Sequence, residues 1–178
     1  MGLSATFQSV EEMISLIAGC QATCNLYKQA QEALKTYNGH SLAVKIVSPE
    51  VVPFGALCQY ALGEIWMSAA LNGQQALSTL LFELANMIHA QRFHDVSIKA
   101  LNKEITKEEF ARLMEEIEYD SVHLHTNTIK EASLEQGPEW LLLDDYRSSA
   151  LDANLYLSAQ QQGGHTHYYY QWWDDHVV

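Results

Sequence analysis

The apolar residues of this chain change period twice, and that change limits the fold more than any other feature. Up to Asn38-Gly39 they recur every three to four positions: Met13, Leu16, Ile17, Cys20, Cys24, Tyr27, Ala30, Leu34 and Tyr37. This spacing predicts one long helix. The capping box Ser9-Val10-Glu11-Glu12 opens it, and Asn38-Gly39, which tolerates positive φ, stops it. Over 40–47, Leu42, Val44 and Ile46 alternate with their neighbours, which is the period of a strand. Pro49, Pro53 and Gly55 break it. A second extended stretch covers 57–68, where Gly63 marks a bulge or a turn and Glu64-Ile65-Trp66-Met67-Ser68 is the strand-like part.

After the turn at Asn72-Gly73 helical spacing returns. Leu77, Leu80, Leu81, Leu84 and Ile88 form one stripe of a helix predicted over 74–94. A second capping box, Thr106-Lys107-Glu108-Glu109, opens a helix with Phe110, Leu113, Met114, Ile117, Ser121 and Leu124 on one face. Glu116, Asp120, His123 and Asn127 lie on another. Gly137-Pro138 ends it, and Pro138 suits the first turn of a further helix over 139–160. The expected fold is α+β: a small, mostly antiparallel sheet packed with about four helices. One domain is expected over 1–160, with 161–178 as a Gln/Gly linker and an aromatic tail.

Charge narrows the partners. The 178 residues hold 22 Asp+Glu against 10 Lys+Arg, a net charge of -12. Such a chain repels phosphate backbones and anionic membranes, so nucleic acid is not an expected partner. No apolar run reaches the ~18 residues of a membrane span. No basic region precedes an apolar stretch as in a Sec-type signal peptide, so the expected location is the cytoplasm, or a host cell for a delivered effector. Met1-Gly2-Leu3-Ser4-Ala5-Thr6 fits the bare N-myristoylation pattern. Three cysteines, Cys20, Cys24 and Cys58, do not make a disulfide scaffold. They read as small buried hydrophobes, and Cys58 lacks any protease signature around it.

The order strand, Asn-Gly turn, helix, loop, helix over 63–133 resembles the core of the zincin metallopeptidases. The matching residues are Gly63-Glu64-Ile65-Trp66-Met67-Ser68 and then Leu77-Ser78-Thr79-Leu80-Leu81-Phe82-Glu83-Leu84-Ala85-Asn86-Met87-Ile88-His89. In that family an edge strand precedes a helix bearing His-Glu-x-x-His, whose imidazoles hold zinc while the Glu activates a water. The resemblance implies that Glu83 is the general base and that Glu118 stands where a third, carboxylate ligand comes from the next helix. The two imidazole positions hold Phe82 and Asn86, so neither a metal nor any other cofactor is expected. The resemblance thus implies a metal-free pseudo-metallopeptidase domain that acts by protein binding or assembly, of the sort found in bacterial effectors and toxins. Two alternatives stand beside it. One is a divergent hydrolase using Glu83, with Asn86, His89, Glu118 or His123 in altered roles. The other is a structural protein with an accidental likeness.

Other constellations are weaker. Glu83 and Glu118 would form an acid–base pair if their helices face each other, the minimum for glycoside hydrolysis. His123 and His125 diverge by about 200° on a helix and cannot share an ion there. His165 and His167 share a face only in an extended tail. The tail places Tyr168, Tyr169, Tyr170, Trp172 and Trp173 within six residues. Side chains of this kind dominate interfaces, which predicts a final strand or extended arm docked on the chain's own surface, or on a partner.

Overall fold

The computed structural model describes residues 9–53, 55–144 and 152–177, and it is α+β. Met1-Gly2-Leu3-Ser4-Ala5-Thr6, with its acylation pattern, and Val178 at the end of the tail lie outside the described residues. Helix α1 spans Val10–Ala18 and α2 spans Gln21–Asn38. The single long helix predicted for this region is therefore two helices. The break falls at Cys20, whose backbone is extended at φ -122 and ψ 130. It is held from a distance: the Gln21 and Ala22 amides donate to the Glu135 carboxylate at 2.7 and 3.1 Å. A carboxylate from the far end of the chain thus satisfies the open amides of α2. At the other end Gly39 caps α2 in the left-handed region, as Asn38-Gly39 predicts.

Three strands follow: β1 Ala43–Val47, β2 Ala56–Gln59 and β3 Glu64–Ser68. Their order is β1-β3-β2. β2 and β3 form an antiparallel hairpin, with Cys58 opposite Ile65. β1 pairs parallel with β3, with Val44 opposite Ile65. The sheet is accordingly mixed and not mostly antiparallel. The residues between β1 and β2 carry the chain past the sheet end, so β1 joins β3 in the parallel sense. The strand at Glu64–Ser68 is present as expected, but it is central; the edge position beside the next helix belongs to β2.

Gly63 sits at φ 71 in the turn between β2 and β3. A Cβ there would meet His40 Cβ at 2.9 Å, Leu34 Cδ2 at 3.0 Å and the Ser41 carbonyl at 3.1 Å. Gly63→Ala should lower stability by about 1–2 kcal/mol from the left-handed backbone alone, with the clash added. A thermal melt of the variant that matches the parent would refute this.

Helix α3 spans Gly73–Ile88 and α4 spans Ala90–Leu101. The 74–94 helix is split at His89, where φ -93 and ψ 11 turn the chain. Asn72 caps α3 by a full capping box with Gln75. Helix α5 spans Lys107–Gln136, opened by the Thr106 hydroxyl accepting from the Glu109 amide at 3.2 Å. The segment expected as a helix over 139–160 is instead a short 3-10 helix, Pro138–Leu143, and then α6, Ala153–Gly163; Ala150, part of that expectation, lies outside the described residues. The expected linker forms the last turn of α6. The tail is helix α7, Thr166–His176, and not a strand or extended arm. No helix among the described residues is long and apolar enough to cross a membrane.

Leu77, Leu80, Leu81 and Leu84 of α3 are fully buried against α2 and the sheet, together with Leu26, Leu34 and Ile65. A second cluster joins Phe93, Phe110 and Ile117 to the tail residues Tyr169, Trp172 and Trp173. Phe110 stacks on Trp172 at 4.9 Å and meets Trp173 at 5.7 Å. The tail aromatics are thus half-buried on their own chain, while Tyr168 stays 44% exposed. Lys107 holds Asp174 at 2.6 Å, which pins the far end of α7 to the start of α5.

Candidate functional site

Residues of β2, α3, α4, α5 and α7, with Tyr37 of α2, meet around one cavity of about 660 Å³. Each contributes for a local reason. The helical spacing of 82, 83 and 86 turns Phe82, Glu83 and Asn86 of α3 toward it. The edge strand β2 lies along α3, and the Cys58 thiol donates to the Glu83 carbonyl oxygen at 3.2 Å. On α5, Glu115 and Glu118 stand one turn apart. The α6–α7 junction brings in His165.

The carboxylates are buried and differently served. Asn86 Nδ2 donates to Glu83 Oε2 at 3.3 Å, while Asn86 Oδ1 has no donor. Glu118 accepts from the Tyr169 hydroxyl on Oε1 and from the Tyr156 hydroxyl on Oε2 at 3.4 Å. Glu115 accepts from the Thr166 hydroxyl at 2.7 Å on Oε1, and its Oε2 has no partner. His165 lies between them: Nε2 is 3.1 Å from Glu118 and Nδ1 is 3.4 Å from Glu115.

Burial and this crowding move the proton affinities. Desolvation, with the neighbouring Glu115 and Glu83 charges, raises Glu118 to about 7, against the pull of His165 and the Tyr169 hydrogen bond. Desolvation acts against a charge on His165, but the three carboxylates outweigh it and raise the imidazole to about 9. Burial also raises Glu83. Cys58 is pushed far up by burial and by Glu83, so its thiol is inert as a nucleophile.

These directions set the pH dependence of folding. The native chain holds protons that the unfolded chain releases. His165 contributes stability that is complete below its ordinary 6.5 and is lost as pH rises through about 9. Glu118 contributes stability complete below its ordinary 4.5 and lost as pH rises through about 7. Buried His125, held down to about 4, acts in the opposite sense below its ordinary 6.5, so the melting temperature should fall from pH 6.5 to pH 9, and His165→Asn should flatten that slope. Melts that rise with pH over this window would contradict the cluster.

Glu115, Glu118 and His165 each offer a ligand atom within 4.8 Å of one another, the one such group among the described residues. Both ring nitrogens of His165, however, face carboxylates. By distance the ring pairs with both, although Nδ1 makes no hydrogen bond.

Of the residues singled out in the sequence, Glu83, Asn86 and Glu118 line the same cavity, as do Tyr168, Tyr169 and Trp172. His89 and His123 do not. His89 ends α3 beside Arg92, and burial lowers its proton affinity. His123 packs edge-on to Tyr119 at 4.5 Å. Tyr170 lies under Lys107, and Trp173 packs on Phe110 away from the cavity. Sequence reasoning missed Glu115 and the part played by His165. The spacing Glu115–Glu118 is visible in the sequence, but nothing local shows that a histidine 47 residues beyond Glu118 closes over it. No protein-family model, no curated protein and no solved structure matches this chain.

Proposed function

We propose that this chain is a metal-free, zincin-like domain whose cavity binds a small organic molecule and moves protons on it. In this reading Glu118 and His165 form the acid–base pair, and Glu83 with Asn86 orients the ligand. The single observation that carries it is the 3.1 Å pair of Glu118 and His165 at the wall of a cavity also lined by Glu83 and Asn86. A cavity with a few converging polar groups and displaced proton affinities is the arrangement that general acid–base chemistry needs. A carboxyl near 7 is matched to proton transfer at neutral pH. The base role that the zincin resemblance implies for Glu83 is assigned to Glu118 here, because Glu118 is the cavity carboxylate paired with His165.

Supporting the zincin-like part is a strand, β2, running along the helix that bears Glu83, with Glu118 facing the same cavity from α5; the strand Glu64–Ser68 of the resemblance lies one place further in. Of the tail aromatics, Tyr169, Trp172 and Trp173 pack around Phe110 of the same chain, and Tyr168 stays exposed.

The test is turnover of chromogenic esters, amides and glycosides between pH 6 and 8. Glu118→Gln should cut the turnover of any accepted class by about 10²–10⁴-fold, with the melting temperature held. Turnover that survives in Glu118→Gln would overturn the assignment. So would a chain inactive on every class in which His165 and Glu118 titrate at ordinary values by NMR.

A further inference from the structure

We propose that the ligand of this cavity is an organic ammonium: a primary amine carried on an aryl or long alkyl body. This rests on the reading of the cavity as a small-molecule site and names the chemical class it takes.

Charge is the first argument. Glu83 and Glu118 line the cavity, and no lysine or arginine does. Its basic groups are the imidazoles of His94 and His165. A phosphate or carboxylate ligand would enter a site with no permanent cation to receive it. An ammonium brings the charge that the site lacks.

Unused hydrogen-bonding capacity is the second, and it is independent of charge. Asn86 is 4% exposed, lines the cavity, and leaves Oδ1 without a donor. Buried acceptors without donors are costly, and the matching ligand is one rich in N–H and poor in acceptors. An ammonium offers three donors and no acceptor.

The walls supply the third. Tyr60 stacks on Phe93 at 5.0 Å, and Phe82, Met114 and Trp172 extend the apolar surface. Such walls fit an apolar body. A bare metal ion would answer the charge but leave this aromatic space unfilled.

The experiment uses the full chain with three matched sets. They are phenethylamine, tryptamine and octylamine; the corresponding alcohols; and the corresponding carboxylates. Binding is read by calorimetry, and the site by NMR shifts of the Trp172 indole and the Tyr60 ring. The amines should bind at least tenfold more tightly than the alcohols, and the carboxylates should not bind. Glu83→Gln should weaken the amines at least tenfold and leave the alcohols within twofold, a charge-selective loss that misfolding would not produce. Asn86→Ala should weaken the amines in the same direction. Alcohols or carboxylates that bind as well as amines would overturn the ammonium assignment and leave the cavity as a ligand site. Zn²⁺ that displaces the amines and broadens or shifts the His165 signals would overturn it in favour of a metal. Probes that perturb neither Trp172 nor Tyr60 would overturn both the ammonium assignment and the small-molecule reading beneath it.

Discussion

Zinc should bind the double variant Phe82→His with Asn86→His at a Kd of about 1 μM or tighter, equivalent to about 8 kcal/mol, where the parent helix offers it no imidazole. The two positions lie four apart on α3, so the new rings would stand one turn apart on the cavity side. Glu118 faces the same cavity from α5 and would be the third ligand, leaving one position open for water. The Tyr169 and Tyr156 hydroxyls now on Glu118 would turn into outer partners that orient it. Phe82 packs with Val122 and Tyr156, so some packing is lost, and the melt without metal should fall. Elemental analysis and calorimetry decide the matter. If the variant folds and takes up no zinc, the cleft lacks zincin geometry and the likeness of the motif is accidental.

Ending the chain at Gly164 should lower stability by about 3 kcal/mol. That is the scale of losing one or two large aromatic side chains from a core, after the entropy of ordering α7 is set against it. For a chain of this size the melting temperature should drop by about 10 °C. Phe110 would lose its stacking partner Trp172 and the neighbouring Tyr169 and Trp173. Glu115 and Glu118 would lose the Thr166, Tyr169 and His165 groups that serve them. The truncated chain should keep its oligomeric state, because the tail packs on its own chain. A melt within about 2 °C of the parent would show that α7 contributes nothing to the fold.

The parts of the fold that local sequence encodes were legible. The α2 stop at Asn38-Gly39, the strand Glu64–Ser68 and the start of α5 at Thr106 follow from caps and periods. The breaks were not. The interruption at Cys20 depends on Glu135, more than a hundred residues away, and no window around Cys20 contains that information. The tail misled for a related reason. Tyr and Trp in succession favour a strand, yet α5 offers an apolar face centred on Phe110, and packing on it overrides that preference. At the site, Glu83, Asn86 and Glu118 were reached through their places in the motif of α3 and on α5, and one cavity brings them together. His165 was not, because it joins them through the path of α6 and α7.

The Glu135 carboxylate that ends this break has a bearing on how the chain is made. The amides it caps lie 113 and 114 residues earlier. At ribosomal speeds those amides are translated on the order of ten seconds before their partner. During that interval α2 has an open amino end, and it meets α3 before it meets α5. Its body therefore gains a packing partner first, and its amino end becomes fixed only when the end of α5 emerges. Arrest of synthesis before Glu135 would strand a protease-sensitive α1–α2 segment, and release past Gln136 would protect it.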